Sequence, residues 1–269
     1  MITASIVLYN TKIEYVNRVV ESYQPSKEKV LYIVDNSEIK SREYDKRAYV
    51  HYIFLGKNIG YGAAHNIAID LAMQENSEYH VVLNPDIAFE PNIIDELKNY
   101  ADKNEDVVYM MPKVLYPNGE LQYLCKLLPT PFDLIFRRFF PQIDRIKKRN
   151  DRYVLKESGY NKIMNPPCLS GCFMFMRVSS LKKYELLFDE RFFMYCEDFD
   201  LIRRLHRIGK TIFYPKVSIV HTHEKSSYKN IGMLLQHIKS AYKYFNKYGW
   251  FRDAERDEMN KEILINILE

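Results

Sequence analysis

From Ser5 to about residue 110 the chain alternates short apolar runs with stretches of helical spacing, and few folds satisfy that alternation. The apolar runs are Ser5 to Asn10, Val30 to Val34, Val50 to Leu55 and Val81 to Asp86. Short apolar runs bounded by turn residues read as buried strands. Helical spacing falls between them, at Ile13 to Ser22 with Val16, Val19 and Val20 on one face, at Ile67 to Met73, and at Pro91 to Tyr100. Proline suits the first turn of such a helix. Strand and helix in strict alternation predict an α/β fold, a doubly wound, mostly parallel sheet with right-handed crossovers. Such sheets place ligands at the carboxyl ends of their strands. The loops there would gather Asn10, Asp35, Asn58, Gly60 and Asp86 around one cleft.

The run Val81-Val82-Leu83 ends in Asn84-Pro85-Asp86. A carboxylate and an amide at that spacing suit a hard cation such as Mg²⁺ or Mn²⁺ shared with phosphate oxygens. A strand closing in a plain Asn-Pro-Asp turn fits the same six residues. Asp35, at the end of the second strand, is placed to accept hydrogen bonds from a ribose or base, or simply to form an Asx turn with Asn36 and Ser37. Gly60 and Gly62 stand just before the helix at Ile67. They would let backbone approach a ligand at a helix start that favours anions; a turn into a helix is the plainer reading.

The second half is less regular. Val107 to Tyr116 reads as strand and turn. Between Lys126 and Arg152 lie eight Lys/Arg and three Asp, which accounts for the net charge of +4 and leaves the remainder near neutral. That stretch also holds Pro129, Pro131, Pro141 and an apolar-aromatic run from Phe132 to Phe140. Apolar anchors beside cations mark an interfacial segment on an anionic membrane, while a surface loop packed on its own aromatics has the same composition. A local patch of this kind does not describe a nucleic-acid binder. No apolar run approaches the roughly 18 residues needed to span a bilayer, and the first residues lack the basic start of a signal peptide. Cys125, Cys168, Cys172 and Cys196 fit no zinc spacing, so the expectation is reduced thiols in a cytosolic protein.

Leu169 to Met176 reads as a buried strand opened by a small-residue turn at Gly171. The acids of Phe188 to Leu201 are set among aromatics, and Glu197-Asp198 open a helix running to Ile208, with Leu201, Ile202 and Leu205 inward and Arg203 and Arg204 outward. Acids at a helix start can be caps alone. An aromatic setting also desolvates a carboxylate and favours its use as a general base. Thr211 to Tyr214 and Val217 to Val220 are strand-like and lead to His221 and His223, which share a strand face. Lys229 to Tyr248 is helical, with Ile231, Leu234, Leu235, Ile238, Ala241, Tyr242 and Phe245 as the inward face and Lys239, Lys243 and Lys247 as a solvated stripe. Asp253 to Leu268 is a last helix.

Taken in order, these segments resemble the family 2 glycosyltransferases of GT-A fold, and within them the bacterial rhamnosyltransferase-like enzymes of O-antigen, capsule and cell-wall synthesis. The resemblance rests on Val7-Leu8-Tyr9-Asn10, Val34-Asp35-Asn36-Ser37, Asn58-Ile59-Gly60-Tyr61-Gly62 with Asn66, Leu83-Asn84-Pro85-Asp86, Gly171-Cys172-Phe173-Met174, Phe188-Asp189-Glu190 and Phe193 to Leu201. It implies that Tyr9, Asn10, Asp35 and Asn36 hold base and ribose, and that Asn58, Gly60, Asn84 and Gly171 border the nucleotide-sugar pocket. Asp86 stands where the family's Asp-x-Asp motif binds a divalent cation, with His223, or less favourably His221, approaching from the far side. Asp198, with Glu197 beside it, takes the place of the general base. The implied reaction is a single displacement at the anomeric carbon, which inverts it.

Asn84 in place of the first acid, a form common in the rhamnosyltransferase-like group, turns the donor expectation to dTDP-rhamnose. Leu187 replaces the glycine usual before Phe-Asp-Glu. The expected acceptor is lipid-linked or polysaccharide, and the expected place is the cytoplasmic face of the membrane, with a homodimer left open. The domain division implied is 1–110 for the nucleotide sugar, 111–225 for acceptor and catalysis, and 226–269 as a helical extension. The alternatives are a UDP-hexose or UDP-N-acetylhexosamine donor on the same fold, or a non-catalytic sugar-nucleotide binding subunit.

Overall fold

The computed structural model describes residues 1–41, 44, 47–134, 143–222 and 231–268. The expected alternation is present: β1 (Ile2–Leu8), α1 (Ile13–Tyr23), β2 (Lys29–Asp35), β3 (Val50–Phe54), α2 (Tyr61–Gln74), β4 (Tyr79–Leu83), β5 (Ile87–Ala88), α3 (Ile93–Asp102) and β6 (Val107–Leu115). Then come α4 (Pro131–Leu134), α5 (Asp144–Tyr153), β7 (Phe173–Arg177), α6 (Val178–Lys183), α7 (Glu197–His206), β8 (Lys210–His221), α8 (Ile231–Tyr248) and α9 (Ala254–Leu268).

Eight strands form one sheet in the order β3-β2-β1-β4-β7-β6-β8-β5. The first four pair in parallel, as does β6 with β8. β7 runs antiparallel to both its neighbours, and β5 antiparallel to β8. The sheet is thus parallel over its first half and mixed over its second. The carboxyl ends of β1, β2, β4, β6 and β8 consequently share one edge with the start of β7. β1 and β4 are buried along their whole length, as expected of strands covered on both faces.

That burial includes polar groups that the apolar reading did not anticipate. Ser5 Oγ lies 2.7 Å from His65 Nδ1 and 2.8 Å from His80 Nε2, and Thr3 Oγ1 lies 2.9 Å from His80 Nδ1. The two hydroxyls and the His80 ring replace water for one another, whereas His65 Nε2 is buried with no hydrogen-bond partner. Desolvation drives both imidazoles toward the neutral form, His80 down to about 3.

Three readings are corrected. Helix α2 begins at Tyr61, six residues before the expected Ile67, because Gly62, Ala63 and Ala64 are helical residues kept small by close packing. Arg203 faces inward. It is 1% exposed, donating to Asp253 at 2.6 and 2.7 Å and to Glu255 at 2.6 and 2.8 Å, with its guanidinium 4.0 Å from the Tyr248 ring centroid. The C-terminal helices thereby supply the partners that make a buried arginine tolerable. On α8 the inward face is Ser240, Ala241, Tyr244 and Phe245, while Ile231, Leu235, Ile238 and Tyr242 are exposed. Lys247 is no member of a solvated stripe. It pairs with Asp189 and Asp200.

No disulfide joins the four buried cysteines. No helix among the described residues is long and apolar enough to cross a membrane. The aromatic and basic residues of the expected interfacial segment that fall in 135–142 lie outside the described residues, as does His223.

Candidate functional site

β4 ends at Leu83, and the chain then leaves it to pair, as β5, with the far strand β8. Asn84-Pro85-Asp86 is the bridge between them. Ile87 is registered against His221, and Thr222 N donates to Asp86 O at 3.0 Å. This crossing sets His221 Nε2 3.3 Å from Asp86 Oδ1. The partner that orients the ring, Gln122, was not identified from sequence. Gln122 Nε2 donates to His221 O and Leu115 O at 2.7 and 3.3 Å. Its Oε1 is therefore the atom facing His221 Nδ1 at 3.1 Å, so Nδ1 carries a proton. A ring anchored in this way turns Nε2 outward, the arrangement usual in metal-ligating histidines. Nε2 faces the Asp86 carboxylate at 3.3 Å and the Asn84 amide Nδ2 at 3.5 Å. The pair thus fits a divalent cation as two of its ligands; among the described residues no third His, Cys, Asp or Glu joins them.

Two cavities meet here. One, of about 560 Å³, is lined by Tyr9, Asn10, Asn36, Asn58, Asn84 and Asp86, with Tyr61 between them. Asn36 donates to Gly60 O at 3.1 Å and keeps a buried Oδ1 with no hydrogen-bond partner. Asn10 is left-handed at φ 51°, and its N–H donates to Ser37 Oγ. Asp35 does not line the cavity. It is buried, accepting from Ser37 N at 2.9 Å and from Tyr52 Oη at 2.7 Å. The other cavity, of about 830 Å³, is lined by Glu197 and Asp198 together with Gln122, Lys126 and Ser170. Tyr195 and His221 line both.

Asp198 sits in the first turn of α7, below two consecutive left-handed residues, Tyr195 at φ 69° and Cys196 at φ 66°. Neither is glycine, so the turn stores strain of the kind found at working sites. Asp198 accepts from Gly171 N at 3.1 Å and Phe199 N at 2.9 Å. A Cβ on Gly171 would lie 2.9 Å from Asp198 Cβ, which explains the small residue. Burial raises the Asp198 pKa, opposed by Lys126 and these N–H donors. Burial and the Asp198 charge together push Glu197 well above the usual carboxylate range, and its Oε2 has no hydrogen-bond partner. Burial thus raises both adjacent acids, and Glu197 the more because the Asp198 charge adds to it.

Tyr61 ties the two cavities together, with its hydroxyl 2.9 Å from Asn84 Oδ1 and 3.1 Å from Gly171 O. Its place in the glycine motif was the signal available in the sequence. The glycines themselves approach protein. A Cβ on Gly60, at φ 100°, would meet Phe193 O at 2.6 Å, and one on Gly62 would meet Phe188 Cβ at 2.7 Å. Asn66 clamps Phe188 through both backbone groups at 2.9 Å. From the other side Ser240 Oγ donates to Met194 O at 2.7 Å, and Lys243 reaches Arg191 O. The loop from Phe188 to Asp198 is held between α2 and α8.

Gly60→Ala is expected to destabilise the protein by about 1–3 kcal/mol, since it adds a left-handed penalty to a backbone collision. Gly119→Ala is the control, because Gly119 also has positive φ but nothing within 4 Å of the added carbon. Thermal melts of the two variants compare the costs directly.

Known proteins agree with this architecture. The model of glycosyl transferase family 2 matches residues 3–185. Rhamnosyltransferase WbbL of Escherichia coli strain K12 is 27% identical over 246 residues, 86% of this chain and 88% of that protein. The N-acetylglucosaminyl-diphospho-decaprenol L-rhamnosyltransferase of Mycobacterium tuberculosis strain CDC 1551 / Oshkosh is 27% identical over 214 residues, 73% and 67% of the two chains. Among solved structures, S. aureus TarS 1-349 in complex with UDP-GlcNAc superposes with TM-score 0.61 at 14% identity, over 98% of this chain and 71% of that one. GalNAc-T7 with UDP, GalNAc and Mn²⁺ gives TM-score 0.56 at 14% identity, over 82% and 42%. The fold they share is GT-A, and with the family model matched over most of its length the chain belongs to glycosyl transferase family 2.

Proposed function

We propose that this glycosyltransferase moves L-rhamnose from dTDP-rhamnose to a lipid-linked or polysaccharide acceptor, with inversion. The observation that carries the reading is the meeting of two cavities at His221 and Tyr195, one holding Asp86 and the other Asp198. Donor diphosphate belongs beside Asp86, and acceptor hydroxyl beside Asp198. Residues 1–110 then form the donor half, 111–225 the acceptor and catalytic half, and 226–269 the helical extension.

On this reading Tyr9, Asn10, Asn36 and Asn58 hold the nucleoside. The unpartnered Oδ1 of Asn36 supplies an acceptor for a base N–H. Asp35 acts one step back, fixing the Ser37 turn that positions Asn10. Gly60 and Gly171 act by closeness, letting the Phe193 backbone approach the start of α2 and Asp198 reach the wall of its cavity. Asp198 takes the proton of the acceptor hydroxyl, which contributes roughly 10²–10⁴-fold to rate. Asp86 and His221 would hold Mg²⁺ or Mn²⁺, whose contribution when bound is to offset charge on the departing diphosphate. Asn84 is held toward Tyr61 and lowers the negative charge at the cation, a difference from Asp-x-Asp that supports the rhamnose donor. The two rhamnosyltransferases similar to this chain support it as well.

Calorimetry with dTDP-rhamnose, UDP-glucose, UDP-galactose and UDP-GlcNAc in Mg²⁺ or Mn²⁺ tests the donor. The expected result is binding of dTDP-rhamnose at least about tenfold tighter than the UDP sugars, about 1.4 kcal/mol, and its loss on adding chelator. Preference for a UDP sugar would select the alternative donor, and binding indifferent to chelator would remove the cation.

A further inference from the structure

Helix α8 has two working faces. Met233 lines the Asp86 cavity and His237 the Asp198 cavity, while Ser240, Ala241, Tyr244 and Phe245 are buried. The other face carries Ile231, Leu235, Ile238 and Tyr242, at intervals of four, three and four residues, which keeps them in one row. They are 78%, 61%, 37% and 56% exposed, and Phe251, just beyond the helix, is 87% exposed. Scattered exposed apolar residues need no explanation, but a continuous row of them does.

The neighbouring helix α5 is net basic, with five Lys/Arg against two Asp. Leu134 of α4 packs against Ala241, Tyr244 and Phe245 of α8. Asp133 of the same short helix accepts from Arg149 of α5 at 3.0 Å. Helix α5 presents Arg145, Lys147, Lys148, Arg149 and Arg152 to solvent, preceded by Ile143 at 51% exposure. Asn150 and Asp151 of α5 line the Asp198 cavity that His237 of α8 also lines. An apolar helix face and a basic helix therefore flank one cavity and are braced by one intervening turn.

We propose that the exposed row of α8 and the cations of α5 dock together on a bilayer surface rich in anionic lipid, so that the Asp198 cavity is carried at the membrane. A second copy of the chain would place five cations against five; an anionic headgroup layer complements them. Each cation near such a surface adds to the attraction, and apolar side chains with aromatics at one end suit the interface between headgroup and acyl chain. This rests on the lipid-linked reading of the acceptor and names the surface that would meet it.

The test is sedimentation of the full chain with vesicles of phosphatidylcholine alone and with about one-third phosphatidylglycerol. The expected result is binding to the anionic vesicles only, weakened at least about tenfold by Leu235→Ser with Ile238→Ser and by Lys147→Glu with Lys148→Glu. These side chains are exposed, so circular dichroism and donor calorimetry of both variants should match the parent. Equal binding to neutral vesicles, or unchanged binding by either variant, overturns the proposal. So does a dimer seen by light scattering and dissolved by the α8 substitutions. Transfer to a lipid-linked acceptor in detergent is measured separately. Transfer without vesicle binding ends the docking proposal and keeps the acceptor reading; vesicle binding without transfer does the reverse.

Discussion

Asp198→Asn is expected to lower the turnover of sugar transfer by about 10²–10⁴-fold while leaving the donor dissociation constant unchanged. The amide is nearly isosteric, but Gly171 N and Phe199 N donate to separate carboxylate oxygens and the single amide oxygen can keep only one of them, so a thermal melt accompanies the kinetics to show that the α7 turn survives. What it loses is proton affinity. The pH profile supplies a second reading. Because burial raises the Asp198 pKa, the fraction in the ionised, working form grows only as pH rises through a value above that of an ordinary aspartate. Transfer should fall on the acid side of that value. Glu197→Gln keeps the size of the side chain and removes a carboxyl whose charged form burial and the Asp198 charge disfavour, and it should retain most of the activity. Steady-state rates of both variants across pH decide the matter, and wild-type transfer by Asp198→Asn would place the base elsewhere.

The largest effect on stability is expected from Arg203→Ala. Removing the guanidinium leaves Asp253, 5% exposed at its side chain, without its ion-pair partner, and opens space beside Tyr244 and Tyr248. Breaking a buried pair from one side costs about 3–5 kcal/mol. Denaturant melts measure the loss. Arg203→Ala combined with Asp253→Ala and Glu255→Ala should recover part of it, since no buried carboxylate is then orphaned, and Arg207, which also loses Glu255, is 41% exposed. A single variant as stable as the parent would show that the cluster contributes nothing.

Strand alternation made the first half of the fold readable. The runs ending at Leu8, Asp35 and Leu83 are apolar because both faces of those strands are covered, while the edge strand ending at Phe54 is only partly buried, and periodicity detects burial. It detects no pairing partner, so nothing in Ile87-Ala88 announced that the chain would cross to β8 and bring Asp86 to His221. Gly60 and Gly62 were recognised as positions where a side chain cannot fit. Whether ligand or protein occupies the space is a tertiary fact, and the neighbours turned out to be Phe193 and Phe188. Arg203 failed for the same reason: a charge on a helix is assigned outward unless its partners, here some fifty residues later, are known. Likewise Gln122, which orients His221, lies in an irregular stretch with no pattern to mark it. The order of family motifs singles out Gly171, Glu197 and Asp198 more tightly than composition does, and the structure brings Gly171 N to 3.1 Å from Asp198 Oδ2.

The clamp on α7 also has a temporal meaning. Most residues lining the Asp86 cavity lie before position 90 and belong to β1, β2, β4 and α2, whose pairings need nothing beyond β7. The helix that carries Asp198 is pinned through Arg203 by Asp253 and Glu255. During synthesis from the N-terminus the parallel sheet can therefore assemble before Asp198 is locked in position. A growing chain would pass through a stage in which most of the wall of the Asp86 cavity exists while the α7 helix still lacks Asp253 and Glu255.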